Sequence, residues 1–587
     1  MFRRFSVACC GLALVVLGWL PAKGAERLPP AAQWIPAEAV IAVELAEPKP
    51  ILDLALNPRL AAAVTAMPVY EKAAAQPGFK QALGFVRYLE SQLGTDWKTG
   101  LRKLVDGGIT WAVEPKGGSL LVVDAQDEAI LAKLHEVLLA VAKADAATRG
   151  DPERVKSADY RGVSVWSIGK DEFHAVVGRR LLLANRGEII RAALDLRANG
   201  EGKSLAALPA YQAAKKAAGP KAAASAFVHL AALKRIPAIE KALKGSAEPL
   251  SALLFSGLTE TLRRSNWLAL GLRIEGETLS LQAAVDGKVA GAEGAAAFTW
   301  PTKADEGAMA NLSVPRSIAA VSLYRDLHGF YAAKDKLFPE RTSGLIFFEN
   351  MMGIFFSGRD LTEEVLSEAK PEIRFVVAAQ QYDPAVGTPQ MRLPAFAAVF
   401  RVRHPQEFAE VIEEAWQKAV GLVSFTRGQK GQGGLIIDRP THAGTRFTMA
   451  CFSTSRVEDK SRLDVQFNFR PALAKLGDYL VLSSTDGLAA DLIDALKREM
   501  AGPVKPLAQV HSLAELDVGQ LAAVLESNRA AMIRQNMLEK GTAQEEAEAQ
   551  IDVLLTLLKS VGRVTLSLAN PDGQTRANLE LKLNLPR

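Results

Sequence analysis

Apolar residues fall on alternate positions twice in this 587-residue chain, each time around a turn. Leu268, Leu270, Leu272 and Ile274 share one parity, and Leu279, Leu281, Ala283 and Val285 answer them after Glu275-Gly276. RVTLSLANPDGQTRANLELKLNL, from Arg563 to Leu585, repeats the arrangement around Asn-Pro-Asp-Gly. A period of two on both sides of turn-forming residues predicts a β-hairpin. An apolar helix precedes each hairpin, with Leu250, Leu253, Leu254 and Leu258 in the first and Ile551, Leu554, Leu555 and Leu558 in the second.

Other phrases recur in the same order. IPAEAVIAVEL at Ile35 returns as VPRSIAAVSLY at Val314. GTDWKTGLRKLVDGGITWAVE at Gly94 meets GRDLTEEVLSEAKPEIRFVVA at Gly358, so Asp96 aligns with Asp360, Ile109 with Ile373, Trp111 with Phe375 and Val113 with Val377. An Asp placed just before a helix satisfies free backbone N–H groups, so Asp96 and Asp360 read as N-caps. Ile130, Leu134 and Leu138 match Phe408, Ile412 and Trp416, a helical stripe kept while its residues change. Gly178 aligns with Gly477, Leu181-Leu182-Leu183 with Leu480-Val481-Leu482, and AFVHLAAL at Ala226 with AELDVGQL at Ala514. Collinear matches at so long a period predict two duplicated domains and not a solenoid.

The expected fold is α+β: two tandem repeats, each a mainly antiparallel sheet with helices packed on one face. Within the first repeat, Leu120–Asp124, Asp127–Lys143, Gly162–Ile168, His174–Ala184, Gly187–Arg197 and Ala226–Leu230 read strand, helix, strand, strand, helix, strand. That order predicts a split βαβ, ferredoxin-like middle section. The boundaries expected are a signal peptide over 1–24, a first repeat over 25–290, a linker over 291–313 and a second repeat over 314–587. Thr426–Gly434, TRGQKGQGG, lacks a counterpart in the first half and reads as a hairpin loop, and Asp145–Asp159 reads as a polar loop.

Composition changes the picture mainly at the N-terminus. MFRR, an apolar run of 16 residues and PAKGAER form the pattern of a secretory leader. Ala22 and Gly24 are the small residues at −3 and −1 for cleavage between Gly24 and Ala25. Export to the periplasm or the cell exterior is expected, the alternative being an uncleaved N-terminal anchor. The formal net charge is +5, and without Arg3, Arg4 and Lys23 the chain has 67 basic against 65 acidic side chains. So even a balance gives no electrostatic case for nucleic acid. Beyond the leader only Cys451 remains, so no internal disulfide can form, and its alternation with Phe447 and Met449 reads as a buried strand position.

The sequence presents no catalytic, cofactor-binding or metal-ligating set at a recognisable spacing. GEGKSLA at Gly200 lacks the P-loop glycine, which is Arg197, and the preceding strand. No Ser sits in a Gly-x-Ser-x-Gly elbow, with Ser357 the nearest and wrongly spaced. His135, His174, His229, His328, His404, His442 and His511 show no metal-ligand spacing. Glu410, Glu413 and Glu414 with Lys418, and Glu545, Glu546 and Glu548, read as solvated helix faces. LIFFENMMGIFF, Leu345–Phe356, is the densest apolar stretch after the leader, either helical core or a surface facing lipid or a partner.

GKSLAALPAYQAAKKAAG, Gly202–Gly219, follows a strand–helix unit and precedes a strand ending in HLAAL. With IPAEAVIAVEL near the start, the chain resembles the exported domain-of-unknown-function proteins of planctomycetes and related bacteria. The resemblance covers most of the first half and the outline of the second, and implies no activity, cofactor or ligand. The leading expectation is an exported, non-enzymatic binding or envelope-structural protein with an envelope protein or lipid as partner. Second comes a periplasmic carrier of lipid or another apolar molecule. Third is a divergent hydrolase whose residues assemble from distant loops.

Overall fold

The computed structural model describes residues 28–65, 68–199, 203–454, 457 and 459–585. The leader, with Gly24 and Ala25, lies outside the described residues. The chain is α+β, with helices around antiparallel sheet, and it divides into two compact units. The first takes the described residues up to Ala242 together with Arg264–Gly287, and the second takes Leu243–Arg263 and Lys288–Asn584.

Among the described residues the first unit has ten strands: β1 (Ile41–Leu45), β2 (Ile109–Val113), β3 (Ser119–Asp124), β4 (Val155–Tyr160), β5 (Val163–Ile168), β6 (Phe173–Val177), β7 (Arg180–Ala184), β8 (Ala224–Val228), β9 (Leu268–Glu275) and β10 (Thr278–Val285). They pair antiparallel in the order β10-β9-β8-β1-β2-β3-β7-β6-β5-β4. Its larger helices are α1 (Pro77–Leu93), α2 (Trp97–Val105), α3 (Glu128–Thr148), α4 (Gly187–Asn199) and α5 (Pro209–Ala218). Asp96 starts α2 by accepting from the Lys98 and Thr99 amides at 3.0 Å, and Asp127 does the same for α3.

The second unit begins with α6 (Pro249–Arg264). Then come β11 (Ser317–Tyr324), α7 (Leu327–Ala332), α8 (Thr342–Phe355), β12 (Ala369–Ala378), β13 (Ala395–Val402), α9 (Pro405–Gln429), β14 (Leu435–Asp438), β15 (Thr448–Phe452), β16 (Ala472–Leu476) and β17 (Tyr479–Ser483). It closes with α10 (Asp486–Met500), β18 (Val510–Asp517), α11 (Val518–Ser527), α12 (Arg529–Lys540), α13 (Gln544–Lys559), β19 (Val561–Ala569) and β20 (Arg576–Leu583). These ten strands pair antiparallel in the order β20-β19-β18-β11-β12-β13-β17-β16-β15-β14.

Strand for strand, the two orders are the same. The registers agree as well. Val43 of β1 faces Trp111 and Ala226, and Val321 of β11 faces Phe375 and Ala514. Trp111 faces Leu121, which faces Leu183, while Phe375 faces Ala398, which faces Leu482. A one-residue slip would have moved every side chain to the other face. Gly178 and Gly477, both at φ near +60°, supply the left-handed turn between β6 and β7 and between β16 and β17.

Three features differ from the sequence expectation. Helices cover both faces of the sheet and not one. Leu120 and Val122 of β3 join a core with Ile190 and Leu194 of α4 and Ala214 of α5, while Leu121 and Val123 pack with α1, α2 and α3. In the second unit Ala472 and Ala474 of β16 face α10, and Leu473 faces α9. A strand apolar on both parities is buried on both sides, and the clean alternation of the closing hairpins does not hold at the sheet centre. The middle section is not ferredoxin-like in its pairing. His174–Ala184 is a hairpin, the expected polar loop Asp145–Asp159 supplies much of β4, and β8 pairs with β1 and β9 and not with β3. The N-terminal strand β1 sits where that layout needs β3.

The third difference concerns boundaries. Residues 291–313, expected as a linker, lie inside the second unit, where Trp300, Ala308, Met309 and Leu312 are buried. α6, expected in the first repeat, also belongs to the second unit. Its Gly257 lies under Trp300, whose indole occupies the space a Cβ would need. Buried Arg325 donates to the Leu253 carbonyl of α6 at 2.8 Å and to the Leu254 carbonyl at 3.2 Å. The loop expected over Thr426–Gly434 is helical to Gln429.

Candidate functional site

The residues singled out in the sequence take structural places. Cys451 lies half-buried on β15, where burial pushes its thiol up and away from the reactive thiolate. Glu413 accepts from Thr448 at 2.7 Å and pairs with Lys475 at 3.0 Å, tying α9 to the sheet. Glu414 pairs with Lys418 at 3.0 Å, and Glu545 and Glu546 are solvated. His229 and Asp517 end β8 and β18 and start the following helices, where Asp517 accepts from the Gln520 amide at 2.9 Å. Gly200, Glu201 and Gly202 of the P-loop lookalike lie outside the described residues, and Ser204 beyond them is buried against Pro36.

Folding also brings together groups that spacing did not connect. His135 of α3 and His174 of β6 place their Nε2 atoms 3.1 Å apart, beside Trp166. Burial, and then the neighbouring His135, pull His174 down to about 4, so both rings are neutral at pH 7. Buried Arg180 makes a bidentate pair with Asp124, at 2.6 and 2.8 Å, lies over the Trp34 ring and donates to the Pro29 carbonyl. In the second unit Arg374 pairs with Glu499 at 2.6 and 3.1 Å, and Glu499 also accepts from Tyr479. Arg401 and Lys370 converge on Asp478, at 2.9 and 2.8 Å. Register places Asp124 opposite Arg180 in one unit and Arg401 opposite Tyr479 in the other, at equivalent positions. A partly buried charge is kept at the position of Asp124 and Arg401 with its sign reversed, while the buried partner changes from Arg180 to Tyr479.

Among the described residues no three His, Cys, Asp or Glu side chains are placed to hold a metal ion, and no helix is long and apolar enough to cross a membrane. A small cleft in the first unit, with room for about one water molecule, is lined by Glu44, Tyr211, Lys215 and Phe227. Its polar groups engage one another, Lys215 bonding Glu44 at 2.8 Å and Tyr211 donating to Glu44 at 3.3 Å.

The feature with no internal partner is apolar. Helix α8, from the LIFFENMMGIFF stretch, has no buried residue. Phe347, Met351 and Ile354 form a stripe at i, i+4 and i+7, with Phe347 71% and Ile354 70% exposed and Ile346 and Phe348 beside them. The opposite side anchors it. Leu345 packs with Leu253 of α6 around Phe330 and Phe338, while Met352 and Phe355 pack with Ile412 and Trp416 of α9. Ser357 donates to Glu414 at 2.6 Å and accepts from Lys418 at 2.6 Å, fixing the end of α8 one turn short of Leu422. There α9 runs on past its last buried residue, Val420, and exposes Leu422, Val423 and Phe425. At the other end α6 exposes Leu250 and Phe255. Monomeric proteins rarely expose so many large apolar side chains on adjoining helices without a use for them. Sequence reading found α8 but missed the tip of α9, although Leu422 and Phe425 recur three apart beyond the last packed position.

Residues 112–322 match the family described as protein of unknown function (DUF3352). No curated protein matches the chain. Among solved structures, crystal form III of TP0453 is similar at 7% identity, with 47% of this chain and 91% of that chain covered and a TM-score of 0.25. Crystal form I of the same protein is similar at 7% identity, over 46% of this chain and 81% of that one, with a TM-score of 0.24.

Proposed function

We propose that this is an exported, non-enzymatic binding protein of the cell envelope, built from two copies of one ancestral unit, which binds through the apolar face of α6, α8 and α9. The duplication is supported by one ten-strand order with one register in both units, reached from sequences that share few polar residues. The non-enzymatic reading is supported by how the buried charges are used. Arg180, Arg325 and Arg374 each bond carboxylates or carbonyls of their own unit. Export is supported by the leader pattern before Ala25.

The observation that carries the reading is the exposure of Phe347 and Ile354 on a helix anchored from its other side. A carrier holding an apolar molecule inside one unit is the weaker alternative, because the cleft beside Tyr211 is lined by the paired charges of Glu44 and Lys215. The test is Phe347→Asp with Ile354→Asp in the full chain, expressed in an exporting bacterial host. Molecules processed between Gly24 and Ala25 are scored for recovery with the envelope fraction. The double variant should keep the parent's melting temperature and lose about tenfold in recovery, the effect of placing charge in an apolar contact. Unchanged recovery overturns the binding face. Turnover of an ester, glycoside or phosphate panel by a dialysed, metal-repleted preparation overturns the non-enzymatic half.

A further inference from the structure

From the charge that surrounds the apolar face, the structure assigns it a partner of stated chemistry. We infer that α8 and the tip of α9 dock on an anionic lipid surface, with Phe347, Ile354 and Phe425 seated among the acyl chains. The inference rests on the binding face proposed above and names its occupant.

Carboxylates are absent from the tip of α9 and the turn that follows it. Between Glu414 and Asp438 the chain has none, while it carries Lys418, Arg427 and Lys430. The same stretch exposes Leu422, Val423, Phe425, Ile436 and Ile437. Helix α8 is bracketed by Arg341 and Arg359, each beside an exposed acid, Glu340 and Asp360, and its one acid, Glu349, is neutralised by Lys334 at 3.1 Å on the anchored side. Glu414, at the border, is held by Ser357 and Lys418. Arg341 also acts on Glu248, whose carboxylate is kept ionised first by hydrogen bonds from Ser251. The tip of α9 is therefore both apolar and cationic, while α8 beside it is apolar with charges of both signs at its ends.

That distribution is what an interfacial helix needs. Phe and Ile side chains enter the boundary between headgroups and acyl chains, while Lys and Arg stay at the headgroup level and meet anionic phosphates. With 14 residues, α8 is too short to cross a bilayer, so the geometry supports lying on the surface and not spanning it. A complementary protein surface would have to be both apolar and acidic, and would place its carboxylates against the cations at the tip of α9, Arg427 and Lys430. Such a partner is one outcome of the test.

The experiment uses the purified full chain with phosphatidylglycerol vesicles and, in parallel, phosphatidylcholine vesicles. Phe347→Trp reports the site itself, whatever the leader does. Brominated acyl chains should quench the added fluorescence in phosphatidylglycerol vesicles, and high salt should weaken the effect by screening the cations at the tip of α9. Phosphatidylcholine should bind about tenfold more weakly. In cosedimentation Phe347→Asp with Ile354→Asp should lose about tenfold, whereas Leu538→Asp, at an exposed apolar residue of α12, should leave binding unchanged. Absence of quenching at position 347 overturns the lipid assignment. If quenching is absent while the double variant still loses envelope recovery in cells, the face binds a protein, and only this inference falls. If Leu538→Asp lowers binding as much as the double variant, attachment is not local to α8 and the inference falls also.

Discussion

His135 and His174 are 39 positions apart in the chain, and only the packing of α3 against β6 brings their ring nitrogens to 3.1 Å. No spacing rule could have paired them, because each lies on its own element's apolar stripe and reads there as a core residue. Their energetic effect has a definite sign. Burial places the folded pKa of His174 near 4, below its ordinary 6.5, so the unfolded chain binds more protons between those values. The stability contributed by the neutral ring is complete above about pH 6.5 and is lost as pH falls toward 4. The gap corresponds to about 3 kcal/mol at the acid limit. His174→Gln should therefore flatten the fall of melting temperature between pH 7 and pH 4 relative to the parent chain. Equal slopes for the two proteins would show that His174 titrates normally. By contrast, Asp96 and Asp360 were legible as caps, since capping depends on neighbours two and three positions away.

Elements were legible where one face decides them. The closing hairpins, the α3 and α9 stripes and the repeated turn glycines all follow local periodicity. What periodicity could not say is where a helix packs. α6 and α13 hold the same place in their repeats, directly before the closing hairpin. α13 packs on α11 and α12 around Ile533 and Ile551, whereas α6 packs around Phe330 and Phe338. The partner of α6 is fixed by shape, since Gly257 alone leaves room for the Trp300 indole and Thr299 hydroxyl. Gly257→Ala should cost about 1–3 kcal/mol by overpacking, although alanine has the better helix propensity. Thermal melts would check this, and a stabilised variant would mean that Trp300 can move aside without loss. Such a variant should leave Phe347 and Ile354 as exposed as before.

At the scale of the whole molecule, the division into units does not follow the division into repeats. A fragment cut where the sequence places the linker, beginning at 291, keeps strands β11 to β20 but loses α6. Arg325 would lose the Leu253 and Leu254 carbonyls, and Phe330 and Phe338 would lose their cover. A buried cation stripped of two of its acceptors and an opened core are both costly. That fragment should aggregate or bind a hydrophobic dye strongly, and one beginning at Leu243 should do so far less. Equal solubility and equal dye binding would remove α6 from the core of the second unit. The sequence by itself determined the twofold pattern, the strand and helix types, the N-caps and the apolar density of Leu345–Phe356. All of these are set by residues within a few positions of one another or by recurrence along the chain. Only the tertiary structure decided that helices cover both sheet faces, that β1 and β2 separate β8 from β3, and that α6 joins the second unit. Likewise only the fold decided that the richest apolar helix turns its phenylalanines outward. Periodicity records that a face is apolar but not what covers it, and cover is fixed by pairing and packing between residues hundreds of positions apart.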